Sequence, residues 1–208
     1  MTTEQRGLRG HRVLNPAKAE ARRRAILLAA AQVFAAKGYA AATMDDIAER
    51  LGTTKGVLYY YFPGKEELFT AIRTTAIEDA VVRLEQLLAQ GGDPVTLLRA
   101  ALTDLVGHIF GSIDQYAIVF EDPHELRPEN RQQIRALQRR YEGHIRDLLA
   151  QGVAAGAVVD RDLRLMTFTL LRACLSVAFW YRPEGPLTPD YIVREVVEQA
   201  LTGVLTSR

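Results

Sequence analysis

A chain of 208 residues with 26 Lys/Arg, 25 Asp/Glu and one cysteine is long enough for one large or two small domains around a buried core. The lone Cys174 excludes a disulfide framework and points to a reducing cytoplasm. The first 24 residues are polar and Arg-rich, without a signal-type apolar stretch. No uninterrupted apolar run nears the roughly 20 residues of a membrane span.

The net charge of +1 conceals a split. Residues 1–65 hold 11 Lys/Arg against 5 Asp/Glu, a net of +6, whereas the remainder holds 15 against 20, a net of −5. A basic head on an acidic body is the pattern of a phosphate-binding domain joined to one that does not touch nucleic acid.

Residues 1–18 lack periodicity and are expected to form a flexible basic arm. Arg6, Arg9, His11, Arg12 and Lys18 there suit either entry into a DNA minor groove or a solubilising extension. Arg22, Arg23 and Arg24 are expected to open the first helix, where positive charge opposes the macrodipole and an external anion relieves it. That helix has Ile26, Leu27, Ala30, Val33 and Phe34 on one face.

The next segment, TMDDIAERLGTTKGVLYYYFPGK from Thr43 to Lys65, reads as two short helices joined by a tight turn. Thr43 is placed to cap the first, with Asp45 and Asp46 in its first turn. Ile47, Ala48 and Leu51 make one apolar stripe, and Gly52 supplies a left-handed stop. Thr53 or Thr54 caps the second helix, which ends before Pro63 and Gly64. Two such helices around a glycine-containing turn match the helix-turn-helix pattern, whose second helix enters the major groove.

These residues resemble the DNA-binding domain of TetR-family transcriptional regulators. Ile47, Ala48, Gly52, Lys55, Gly56, Leu58, Tyr59, Tyr60, Phe62, Lys65, Glu66, Glu67 and Leu68 fall in register with that family's pattern, and ILLAAAQVFAAKGYAAATM before them is similar to its first helix and Gly-Tyr link. Thr53, Val57, Tyr61 and Gly64 depart from it. Val57 and Tyr61 lie on or beside the reading helix and so bear on which operator is read. The resemblance implies that Thr54, Lys55, Gly56, Tyr59 and Tyr60 face DNA. Thr43 and Lys65 join them because helix N-termini favour phosphate.

Beyond Lys65 the pattern stays helical. A helix to about Ala89 is followed by the GGDP break, with Asp93 as cap and Pro94 opening the next helix. A shorter helix contains Tyr116, Val119 and Phe120, and a long one covers 129–151. After Gly156, an apolar helix runs from about Asp162 to Tyr181, and a last one from Thr188 and Pro189 to about Thr206. No alternating strand pattern appears. The fold expected is all-α with about nine helices: a basic arm at 1–18, a helix-turn-helix domain at 19–65 and a helical effector-binding and dimerisation domain at 66–208.

Leu170, Leu171, Leu175, Val177, Ala178 and Trp180, with Ile192, Val196, Ala200 and Val204, exceed what one buried face needs. The family resemblance implies that these two helices form a four-helix bundle with a symmetry mate, making a homodimer that binds a palindromic double-stranded DNA operator. The central helices are expected to surround a ligand pocket lined by Phe110, Tyr116, Phe120, Tyr141, Phe168 and Phe179, with His108, His144 and Arg172 as polar groups. Each of these also reads as ordinary core. A buried Arg172 requires a partner, either Glu121 or an anionic ligand group. The stretch FWYRPEGPLTPDYI is similar to a segment of TetR-type repressors of fatty-acid and steroid catabolism, which implies an acyl-CoA effector.

No catalytic constellation emerges. His11, His108, His124 and His144 show no metal-binding spacing, and no Gly-rich phosphate loop follows a strand. No cofactor, metal or membrane partner is expected, and the reading is not an enzyme. It is a cytoplasmic, ligand-released repressor. The alternative is a ligand-insensitive DNA-binding regulator with a filled body, which an empty cavity would argue against.

Overall fold

A computed structural model describes residues 16–118, 121 and 126–206. The described residues form ten helical segments: α1 (Pro16–Ala41), α2 (Met44–Leu51), α3 (Lys55–Tyr61), α4 (Lys65–Leu88), α5 (Pro94–Gly111), α6 (Ile113–Ala117), α7 (Pro128–Ala154), α8 (Leu163–Leu175), α9 (Val177–Trp180) and α10 (Pro189–Thr202). Only Ser176, itself in right-handed helical conformation, separates α8 from α9. Counted as one, they restore the expected nine. No strand occurs among the described residues, only an isolated bridge between Val158 and Leu205.

Local chemistry sets the boundaries. Thr43 and Asp46 form a reciprocal capping box at α2, and Gly52 at φ 64° and ψ 42° closes it. Asp93, Asp162 and Thr188 accept bonds from the amides of Thr96, Leu165 and Tyr191, capping α5, α8 and α10. Gly38, at φ 74°, kinks α1 just before Tyr39.

The helix begins at Pro16 and takes the last three residues of the expected arm, so Lys18 is helical and Arg22–Arg24 lie within the helix rather than at its N-terminus. No anion is needed to relieve them. Arg22 donates to Thr53 Oγ1 at 2.9 Å, Arg23 sits 5.1 Å over the Phe62 ring, and Arg24 pairs with Glu20. The remaining arm residues, Arg6, Arg9, His11 and Arg12, lie outside the described residues. So do Val119 and Phe120 of the expected short helix. The last helix stops at Thr202, and 203–206 turn back, Val159 donating to Val204 O at 2.9 Å and Thr206 to Ala157 O at 3.1 Å.

Two apolar clusters result. The first joins Ile26, Phe34, Tyr39, Ile47, Leu58, Phe62, Leu68 and Phe69 of the head to Ile118, Leu126 and Ile134 of the body. The second fills the body from α4, α5, α7, α8 and α10. Leu170, Leu171, Val177, Ala178, Ile192 and Val204, expected to serve a partner subunit, are buried within this second core. They are consumed because α5, α7 and α10 all pack on α8. The apolar side chains left outside are Leu165, Phe179, Trp180, Leu187 and Tyr191. The stretch Leu163–Trp180 meets the length and composition of a membrane-crossing helix, although Arg164 and Arg172 interrupt it. Its inward face lies in the body core.

Candidate nucleic-acid interface and ligand cavity

The helix-turn-helix presents its two faces differently. Leu58 and Phe62 are buried, whereas Thr54, Lys55, Gly56, Tyr59 and Tyr60 are all exposed, Tyr60 at 70%. Helical spacing therefore gathers these five on one side, away from the head core. At Gly56 an added Cβ meets nothing nearer than Thr54 Oγ1 at 3.9 Å, so the protein itself does not demand glycine there. Tyr61 is half-buried and packs edge-on against Tyr60, with ring centroids 5.1 Å apart.

Lys55 extends from the start of α3 to Asp45 Oδ2 on α2, at 2.9 Å. That bond raises the Lys55 pKa from its ordinary value. Thr43 is exposed, but its hydroxyl is already engaged with Asp46 Oδ2 at 2.8 Å. Lys37 donates to the other Asp46 oxygen at 2.7 Å.

Lys65 occupies a different position from the one expected. Its ammonium donates to the carbonyls of Tyr39 and Ala40 at 2.8 and 3.2 Å and lies 4.4 Å above the Tyr39 ring. It clamps the chain after the Gly38 kink onto the start of α4. This contact is not legible in the sequence, because the carbonyls are 25 and 26 residues back along the chain.

Head and body are tied through the segment between α6 and α7. Glu121 Oε2 accepts the Tyr39 amide hydrogen at 3.0 Å. The buried Arg73 of α4 donates to the carbonyls of Ile118 and Glu121 at 3.1 and 2.7 Å. Glu66 Oε1 accepts from the Arg127 amide and from Asn130 Nδ2 at 2.6 and 2.7 Å, and Arg127 also pairs with Glu67. Among the described residues the buried guanidinium is that of Arg73, and Glu121 serves the head. Arg172 is exposed rather than buried and has no need of Glu121.

Between α4, α5, α7 and α8 lies a cavity, half open to solvent, with room for about 80 Å³. Ala76, Ile77, Ala80, Leu105, Leu171 and Leu175 form its apolar walls, with Tyr116, Tyr141, Phe168, Gln138, Glu142 and Arg172. Four expected residues meet here: Tyr116, Tyr141, Phe168 and Arg172. Gln138 and Glu142 were missed, although Tyr141 and Glu142 stand at i+3 and i+4 from Gln138, which places the three on one side of α7. Burial pushes the Glu142 carboxyl up, against the pull of Arg172, Arg146, Arg164 and Arg139 around it. Burial also raises the phenols of Tyr116 and Tyr141. It lifts the Cys174 thiol to about 12, which leaves it unreactive.

The other expected ligand residues stand elsewhere. Phe110 packs edge-on against Tyr181 at 4.8 Å. His144 Nε2 lies 2.8 Å from Glu85 Oε1, which Arg140 also grips at 2.8 Å, so both residues tie α7 to α4. His108 Nδ1 lies 2.8 Å from Asp104 O along its own helix. Phe179 walls an open groove with Asp114, Glu121 and Arg182. Phe120 lies outside the described residues.

A helix-turn-helix head joined to a hollow helical body is the architecture of a DNA-binding transcriptional regulator, not an enzyme. Residues 26–72 match the profile of bacterial regulatory proteins of the tetR family, and residues 91–204 that of the tetracyclin repressor-like C-terminal domain. The chain belongs to the TetR family. It is 28% identical over 207 residues to the HTH-type transcriptional activator FasR of Mycolicibacterium smegmatis, covering 98% of this chain and 94% of that one. It is 30% identical over 186 residues to the HTH-type transcriptional repressor KstR2 of Rhodococcus jostii, covering 88% and 91%. Among solved structures, AibR in complex with isovaleryl coenzyme A and operator DNA superposes with a TM-score of 0.74 at 27% identity, covering 86% and 97%.

Proposed function

We propose that this protein is a cytoplasmic, ligand-released transcriptional repressor that binds a palindromic operator as a homodimer. The observation carrying this reading is the half-open cavity between α4, α5, α7 and α8, apolar in its walls and bordered by Arg172, directly behind the helix that continues from the head. An apolar cavity with a few convergent polar groups is the form of a small-molecule site. A ligand-insensitive regulator with a filled body has no use for it.

The effector class that fits is an amphipathic anion: an apolar chain between Ile77, Phe168 and Leu171, and a negatively charged head drawn by the arginines of α7 and α8. An acyl-CoA thioester has this form, and AibR, a relative in fold, was crystallised with one. KstR2 is named a repressor and FasR an activator, so relatives carry both signs. Repression is the reading we adopt.

On the DNA side, Thr54, Lys55, Gly56, Tyr59 and Tyr60 form the reading surface, with Thr43 beside them at the start of α2. Lys65 supports that surface from behind. Two heads related by a two-fold axis read half-sites about 34–36 Å apart or a related separation. The exposed Leu165, Phe179, Trp180, Leu187 and Tyr191 supply apolar surface for the partner subunit. An effector acts by binding one body conformation more tightly than the other, and it shifts the equilibrium only by that difference.

The test is salt-dependent binding to the DNA flanking the protein's own gene, repeated with a panel of acyl-CoA thioesters. Specific binding released by one thioester is the expected result. Specific binding that none of them disturbs refutes the effector class, and no specific binding refutes autoregulation.

A further inference from the structure

Tyr141 is a wall with space on both sides. It lines the cavity proposed as the effector site. The same residue borders a second space between α4 and α5, an inner chamber with room for about 90 Å³, lined by Leu84, Leu87, Ala100 and Ala101 and rimmed by Arg83 and Asp104. Tyr141 is 8% exposed, packed in the body core among the side chains that line both spaces. The rim of that space is polar: Arg83 Nε donates to Asp104 Oδ2 at 3.0 Å, and the Arg83 guanidinium also bonds the Tyr116 side chain.

We propose that Tyr141 sets the length of the hydrocarbon chain this protein accepts, its ring closing the floor of the effector cavity and reserving the inner chamber. The proposal rests on the reading of the outer cavity as the effector site. Physically, each methylene buried against apolar walls strengthens binding by about fourfold, until the chain meets an obstacle. The first obstacle is the Tyr141 ring. With the ring gone, the chain runs on between Leu84, Leu87, Ala100 and Ala101, and the next obstacle is the Arg83–Asp104 pair, which hydrocarbon cannot satisfy.

The experiment is calorimetric titration of the full-length protein with straight-chain acyl-CoA thioesters from butyryl to palmitoyl. For the wild type, affinity rises along the series and then levels off. Tyr141→Ala moves that plateau to longer chains, whereas Tyr141→Phe, which keeps the ring, leaves it in place. Adding Ala101→Phe to Tyr141→Ala refills the inner chamber and brings the plateau back. Operator binding and far-ultraviolet circular dichroism confirm folding, and Tyr141→Leu replaces the alanine variant if that one does not fold. A plateau at the same chain length in wild type and in a folded, thioester-binding Tyr141→Ala or Tyr141→Leu variant overturns the proposal. A wild type that binds none of the thioesters overturns the effector reading itself, a separate and recognisable failure.

Discussion

The Glu121 carboxylate accepts the Tyr39 amide hydrogen at 3.0 Å, joining positions 82 residues apart. Tyr39 follows the Gly38 kink of α1 in the head, while the Glu121 carbonyl is held at 2.7 Å by Arg73 of α4. One residue thus touches both the reading head and the helix that leaves it.

Removing that carboxylate should loosen Tyr39 specifically. For Glu121→Ala, amide hydrogen exchange at Tyr39 is expected to accelerate about ten- to a hundredfold, the range for a lost charge-assisted hydrogen bond. Amides in the body, such as Ile145, should keep their protection. Unchanged exchange at Tyr39 would show that the bond does not hold in solution.

Lys65 offers a sharper discrimination. As a clamp on the Tyr39 and Ala40 carbonyls, Lys65→Met should cost about 1–2 kcal/mol of stability without DNA. As a phosphate contact, it should leave unfolding unchanged and flatten only the salt slope of DNA binding. Urea denaturation of the free protein separates the two, and we expect the stability loss.

Lys55 and Asp45 should behave as opposites on DNA. Lys55→Ala is expected to weaken operator binding about tenfold or more. Asp45→Asn releases the Lys55 ammonium and removes a negative charge from the face that meets phosphate, so it should raise affinity for unrelated DNA. Equal affinities of wild type and Asp45→Asn for a scrambled duplex would contradict this.

Acid should act early on the head. The Lys37 ammonium, then the Thr43 hydroxyl and amide, hold Asp46 down to about 2 from its ordinary 3.8. A carboxyl depressed in the folded state adds stability that is fully present above 3.8 and lost as pH falls through about 2. Asp46→Asn should therefore be less stable than wild type at neutral pH, with the difference shrinking across that window. A pH-independent difference in thermal midpoint would argue against the capping box as its source.

Sequence reading recovered what is decided locally. Thr43, Asp93 and Thr188 cap helices because a side chain meets an amide three residues on, and Lys65–Leu88 ends within one residue of its expected stop. Phe168 and Arg172 share the cavity because they are four apart on α8. Phe110, His144 and Phe179 went astray because an aromatic or imidazole group does not announce which neighbour its helix face meets. The contacts of Lys65 and Glu121 were not legible for the same reason, since their partners are fixed only by tertiary packing. The surplus of apolar residues in α8 to α10 was real, but most of it was absorbed by three surrounding helices.

The paired helices α4 and α7 run in the same direction and are joined at two heights. Near the head, Glu66 holds the Arg127 amide and Asn130; farther along, Glu85 holds Arg140 and His144. At about 1.5 Å per residue, the two carboxylates of α4 stand roughly 28 Å apart along its axis. Two beams cross-braced at both levels resist sliding past each other but tilt freely as a frame. The braces make α4 and α7 one truss, so Tyr141 and Glu142 of α7 are tied to the helix that continues from the head. Because the outer brace is ionic and partly solvated, the stiffness of that truss should fall with ionic strength.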